Sequence, residues 1–96
     1  SKEEIQWNPY ETSHPIYKIT GEGMCTLEVN GNRMTANVGQ NLTIDTDRMV
    51  AYRQDGTLQN TAVTGKYEDL YLTAGEIDIG ISTGFDLKII PNWRCR

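Results

Sequence analysis

The sequence predicts an all-β domain of antiparallel strands, arranged as a sandwich or a barrel. Short stretches of period-two alternation recur along the chain, and glycine-marked turns separate them at near-regular spacing. An Asn30-Gly31 pair lies between two of these stretches and is the strongest short hairpin signal, because a type I′ turn demands positive φ at both central positions. No window sustains apolar residues at i, i+3, i+4 and i+7, so no long helix is expected.

Taken in order, residues 1–13 are polar, with Trp7 and Tyr10 around Asn8-Pro9. They read as a linker or an edge segment from an upstream domain, and residues 14–96 as the β-domain itself. A start at Ser1 rather than Met suggests an excised fragment or a trimmed chain. The first convincing strand runs from His14 to Thr20, and Gly21-Glu22-Gly23 breaks it. Met24–Val29 and Asn32–Val38 then form a hairpin about Asn30-Gly31. Its register sets Leu27 opposite Met34, Cys25 opposite Ala36 and Glu28 opposite Arg33. Apolar pairs fall on one face and an opposite-charge pair on the other, each worth about 0.2–1 kcal/mol.

Asn41–Asp45 is the next strand, with Leu42 and Ile44 inward, and Thr46-Asp47 the corner before a short strand at Met49–Arg53. Asp55-Gly56 marks a turn, and 57–65 is a polar loop or a weak edge strand. Lys66–Leu72 reads as an irregular crossing segment that drops Leu70 and Leu72 onto the core. The last quarter carries two matched amphipathic arms, Ile77–Ile81 and Phe85–Ile89. A three-residue loop, Ser82-Thr83-Gly84, would join them as a hairpin pairing Ile81 with Phe85, Ile79 with Leu87 and Ile77 with Ile89. Pro91 removes a ladder donor and ends regular pairing.

Ninety-six residues suffice for one core without metal or disulfide support, since a chain of this size hides roughly two-thirds of its unfolded surface. A net charge of −4 argues against non-specific binding to nucleic acid or anionic membrane, which needs a basic face. No run approaches the roughly 20 apolar residues of a membrane-spanning helix, and no signal peptide opens the chain. Cys25 and Cys95 are too few for a disulfide framework and read as free thiols, Cys25 as a small core hydrophobe.

Little in the chain carries chemistry. His14 is the sole imidazole, so it has no second histidine for a metal set, and a Cys25–His14 nucleophilic pair has no local signature. Asp45-Thr46-Asp47 resembles the start of a calcium loop but lacks the later glycine and bidentate Glu, so a corner capped by its own Asp is expected. Asp78 and Asp86 are expected on the solvated outer face of the last hairpin. Gly21-Glu22-Gly23 has no helix after it and is no phosphate loop. No catalytic residue, metal or cofactor is expected, and no enzyme. Trp7 and Trp93 are the two candidates for a sugar-stacking platform, beside a reading as core or seam plugs.

The sequence Gly65–Ile77, a strand, and then Ile89-Ile90-Pro91-Asn92-Trp93-Arg94 resembles the C-terminal domain of siphophage distal tail proteins. That family has a turn of leucine, two residues, Gly and Asn before its last hairpin, with Glu76 here in place of the Asn, and closes on a Pro-x-Trp-Arg-like sequence. Pro15–Gly23 followed by Leu27–Gly31 is similar to the family's opening, and Leu42–Asp45 with Tyr52 to its central element. The resemblance spans about residues 8 to 96. It implies a galectin-like, jelly-roll type β-sandwich that hangs outward from a ring-forming N-terminal domain. It also implies a structural role at the virion tail tip of a phage or prophage of Gram-positive bacteria, assembled in the host cytoplasm. The implied partners are other tail proteins: the tail tube, and a tail-associated lysin or receptor-binding protein of the host-adhesion device. The full-length chain would form a homo-hexameric ring and the isolated domain a monomer, with no nucleic acid and no membrane. The sugar-reading cluster of galectins, His, Asn and Arg around a stacked Trp, has no counterpart here. The alternative is a carbohydrate-binding module that engages host cell-wall glycan through Trp7 or Trp93.

Overall fold

The hairpin about Asn30-Gly31 forms as its sequence dictates, and the fold grows outward from it. In the computed structural model, which describes residues 2–8, 12–72 and 75–91 (2–8 and 75–77 by backbone alone), Asn30 and Gly31 have φ of 50° and 88°. Strands β3 (Met24–Val29) and β4 (Asn32–Asn37) pair with Leu27 opposite Met34, Cys25 opposite Ala36 and Glu28 opposite Arg33. The outward pair closes to 3.6 Å between Arg33 Nε and Glu28 Oε2, while Leu27, Cys25, Met34 and Ala36 are buried.

The pairing does not stop at the end of that hairpin. Strand β2 (Ile16–Gly21) precedes β3 and β5 (Gln40–Asp45) follows β4, and these two pair with each other from Ile16 opposite Asp45 to Gly21 opposite Gln40. The step count is the same on both strands through the join, which the Val38 N–H to Gly23 carbonyl bond (2.9 Å) bridges. One ribbon of constant register therefore runs from Asn30-Gly31 to Ile16 and Asp45, folded once so that its halves lie in different sheets. Positive φ at Gly21 (150°), Gly23 (88°) and Gly39 (54°) makes the fold. The Arg53 guanidinium braces it, with Nη1 donating to the carbonyls of Val38 (2.8 Å), Gly39 and Asn41 (3.1 Å).

The remaining strands extend the two layers. The five-stranded sheet has the order β1-β8-β3-β4-β7, with β1 Lys2–Asn8, β7 Val63–Thr64 and β8 Gly75–Ile81. The four-stranded sheet is β6-β5-β2-β9, with β6 Val50–Tyr52 and β9 Asp86–Ile90. All pairings are antiparallel, and no α-helix occurs among the described residues. The chain is a β-sandwich, as its alternation predicts. Residues 57–65 realise both expected forms, a 3₁₀ turn at Asn60–Ala62 and the short edge strand β7. Residues 66–72 cross as a 3₁₀ turn, Tyr67–Leu70, that leaves Leu70 and Leu72 fully buried.

The last two strands depart from expectation. They do not form a hairpin. β8 pairs with β3 and β1 in one sheet, and β9 pairs with β2 in the other, so the arms face each other across the core. Alternation decides which face of a strand turns inward but not which neighbour it takes. Ile79 and Ile81 are buried, and Leu87 and Ile89 pack on the same core. β8 follows β3 as far as Ser82, whose N–H donates to the Thr26 carbonyl (3.2 Å) while its Oγ accepts from Thr26 N–H (2.9 Å). The chain then crosses, with Gly84 at φ 93°, and rejoins the ribbon at Asp86 opposite Thr20. A local hairpin would lie in one sheet and leave β2 or β3 without a ladder partner in the other.

At the crossing the Phe85 ring lies over Gly21, where an added Cβ would stand 2.4 Å from ring carbon Cδ2. Gly21→Ala is expected to lose about 1–3 kcal/mol, from overpacking and a disfavoured φ. In a Phe85→Ala background the same change is expected to cost distinctly less, as a double-mutant cycle in urea would measure.

Tyr17, fully buried in β2, donates its hydroxyl to the Leu70 carbonyl at 2.6 Å and so pins the crossing turn to the core. Burial holds its phenol far above the ordinary value of about 10. The folded state therefore keeps a proton that the unfolded chain releases, and stability is full below about pH 10 and falls above it. Tyr17→Phe is expected to lose about 1–2 kcal/mol at pH 7, because the Leu70 carbonyl loses its donor. It should also flatten the decline between urea midpoints at pH 8 and pH 10.5.

Candidate functional site

The residue types that could carry catalysis are drawn into the architecture. His14 is half-buried; its Nδ1 lies 3.0 Å from Asp47 Oδ1 and its ring stacks on Tyr71 at 3.9 Å and 13°. The adjoining Pro15 carbonyl accepts from Thr46 N–H (3.1 Å) and Thr46 Oγ1 (2.7 Å). His14-Pro15 thus docks onto the corner after β5 with three polar links. Asp45 is 4% exposed and its Oδ1 accepts the N–H groups of Asp47 (3.0 Å) and Arg48 (3.1 Å), the capped corner that the sequence suggested. Cys25 is a buried free thiol in the core, with Ser82 as its polar neighbour. Among the described residues no three His, Cys, Asp or Glu side chains group closely enough to hold a metal ion.

Of the sugar-platform candidates, Trp7 falls in β1, whose side chains lie outside the described residues, and Trp93 lies outside them altogether, as does Cys95. Asp78 and Asp86 are both exposed, but they occupy the outer faces of opposite sheets rather than one face of a hairpin. The correction follows from the separation of β8 and β9.

That separation assembles a surface which the separate strand patterns do not reveal. On the outside of the four-stranded sheet, one row of directly opposed residues crosses every strand. Lys88 on β9 faces Lys18 on β2, Lys18 faces Thr43 on β5, and Thr43 faces Tyr52 on β6. The next row holds Asp86, Thr20 and Asn41, and Asn41 Oδ1 accepts the Gln54 N–H at 2.7 Å. The row on the other side is apolar at Ile90, Ile16 and Val50, with the Asp45 carboxylate turned into its corner. Lys18 and Lys88 are exposed, Tyr52 half-exposed, and Thr43 only 8% exposed. These residues line a depression of about 370 Å³. Like charges directly opposite one another on neighbouring strands destabilise a sheet. The pair therefore stands where the fold alone would not favour it.

The outside of the five-stranded sheet differs in character. Its depression of about 500 Å³ is lined by Thr26, Glu28, Arg33, Asp78 and Ser82, with Gly80 leaving its floor open. Opposite charges meet there, and among the described residues no aromatic ring lines it. The lysine–tyrosine row is the better candidate for a site. The alignment of its members depends on β9 joining β2.

Comparison with known protein families, characterised proteins and solved structures returned no match to the chain.

Burial raises the Cys25 thiol above its ordinary range, opposed in part by the hydrogen bonds to Ser82. In a Cys95→Ser variant at pH 8, a disulfide reagent is expected to leave Cys25 unmodified for hours in buffer and to label it within minutes in denaturing urea. Prompt labelling of the native protein would contradict this assignment.

Proposed function

We propose that the domain is a structural, non-enzymatic component of a phage or prophage tail tip, a distal tail hub domain that presents the host-adhesion device. The observation that carries the reading is the match between its motifs and the framework of the sandwich. Pro15–Gly23 is β2 with the ribbon's fold, Asn30-Gly31 is the hairpin turn, and Leu42–Asp45 and Tyr52 lie in the strands beside β2. Leu70 and Leu72 plug the core in the motif that precedes the last strands. Residue types able to do acid–base or nucleophilic chemistry, His14, Asp45, Asp47 and Cys25, serve instead as ties and core. The loop from Gln54 to Thr64 offers a contact surface, with Leu58 at 64% exposure among polar neighbours.

In this role the partners are the tail tube and a tail-associated lysin or receptor-binding protein, and the site of action is the virion tail tip. Light scattering of the full reading frame is expected to give a hexamer, while residues 1–96 alone run as a monomer. A full-length protein that stays monomeric, or a concentration-independent dimer of the 96-residue domain, would overturn the reading.

A further inference from the structure

We propose that the outer face of the four-stranded sheet binds an acidic polysaccharide, with Tyr52 as the stacking platform for a sugar ring and Lys18 with Lys88 as the pair that receives its anionic group. The lysines carry the charge argument. They are directly opposed on adjacent strands in a chain that has 13 acidic residues against 9 basic ones. Their mutual repulsion costs stability in the free protein, and an anion seated between the two ammonium groups reverses its sign. Asp86, diagonal to Lys18 in the next row, offsets one of the two charges and leaves the row itself positive.

Sugar chemistry is favoured by what flanks the pair. The partly exposed Tyr52 lies in the same row, one strand beyond Thr43, about two strand spacings of roughly 4.8 Å from Lys18. That separation suits a pyranose that stacks on the ring and reaches a charged substituent or neighbouring residue over the lysines. Thr20, Asn41 and Gln54 supply hydroxyl and amide groups in the adjacent row for the sugar's own hydroxyls. The lining of the depression extends across all four strands, as a chain passing over them needs, and its volume of about 370 Å³ is at the small end of ligand sites. A nucleic acid fits less well, because two lysines in an acidic chain neutralise too few phosphates. The proposal calls on neither Trp7 nor Trp93 and does not depend on the tail-hub reading.

Affinity electrophoresis of the 96-residue protein tests it, with polygalacturonate and a phosphomannan as acidic glycans, dextran as a neutral one and poly-L-glutamate as a polyanion without sugar. Retardation by at least one acidic glycan and none by dextran is expected, and which of the two retards separates carboxylate from phosphate recognition. Tyr52→Leu, which keeps an apolar side chain on β6, should weaken retention about tenfold. Lys18→Gln and Lys88→Gln should each weaken it severalfold and make it less sensitive to added salt. Thermal unfolding of the three variants shows that the sheet is intact. The lysine variants should unfold no lower than the parent, since each removes a like-charge contact. Retention by dextran, or by none of the probes, would overturn the proposal. So would equal retention by poly-L-glutamate that Tyr52→Leu leaves unchanged, which would turn the face toward acidic peptides.

Discussion

The rest of the structure depends on one constraint, the unbroken register of the ribbon that starts at Asn30-Gly31. The type I′ turn sets it, and each residue from Val29 back to Ile16 is answered by one from Asn32 on to Asp45. A slip by one residue would turn one arm's apolar set outward, Tyr17, Ile19 and Leu27 or else Met34, Leu42 and Ile44, so both layers of the core guard the same alignment. The glycines at the fold give the ribbon its change of direction, and the Arg53 guanidinium collects carbonyls on the outer strand of the bend. β8 and β9 then copy the path of the strands beside them.

What the sequence made legible divides along the same line. Local chemistry with a fixed geometric meaning was readable: the Asn30-Gly31 turn, the capped corner at Asp45, the break at Gly21–Gly23 and the plug at Leu70 and Leu72. The last two strands were not, although their inward faces were. Ile79 and Leu87 satisfy the same burial whether they sit side by side or across the core, and Gly84 adopts positive φ in either case. The choice is made far away in sequence, by the ladder groups of β2 and β3. The candidate site inherits that limit. Lys18 and Lys88 are 70 positions apart and Tyr52 lies between them in the chain, so no spacing rule could align them.

Polar side chains in this domain fall into two sets. His14, Asp45, Thr46, Asp47 and Arg53 are spent on corners and bends, where backbone groups would otherwise lack partners. Lys18, Thr20, Lys88 and Tyr52 stand on a sheet face that needs none of them for its ladder. The contrast between chemistry that closes the fold and chemistry left on a surface is what singles out the four-stranded sheet.

The order of the strands along the chain has a consequence for synthesis. The ribbon from Ile16 to Asp45 is complete once the first half of the chain has left the ribosome, and it can zip outward from its turn with short loops to close. Its β2–β3 side, however, is covered by β8 and β9, which follow far later in the chain. Until then the nascent domain carries an uncovered row of peptide donors and acceptors along both halves of the ribbon. β8 and β9 therefore act as the domain's own protection against pairing with a neighbouring chain.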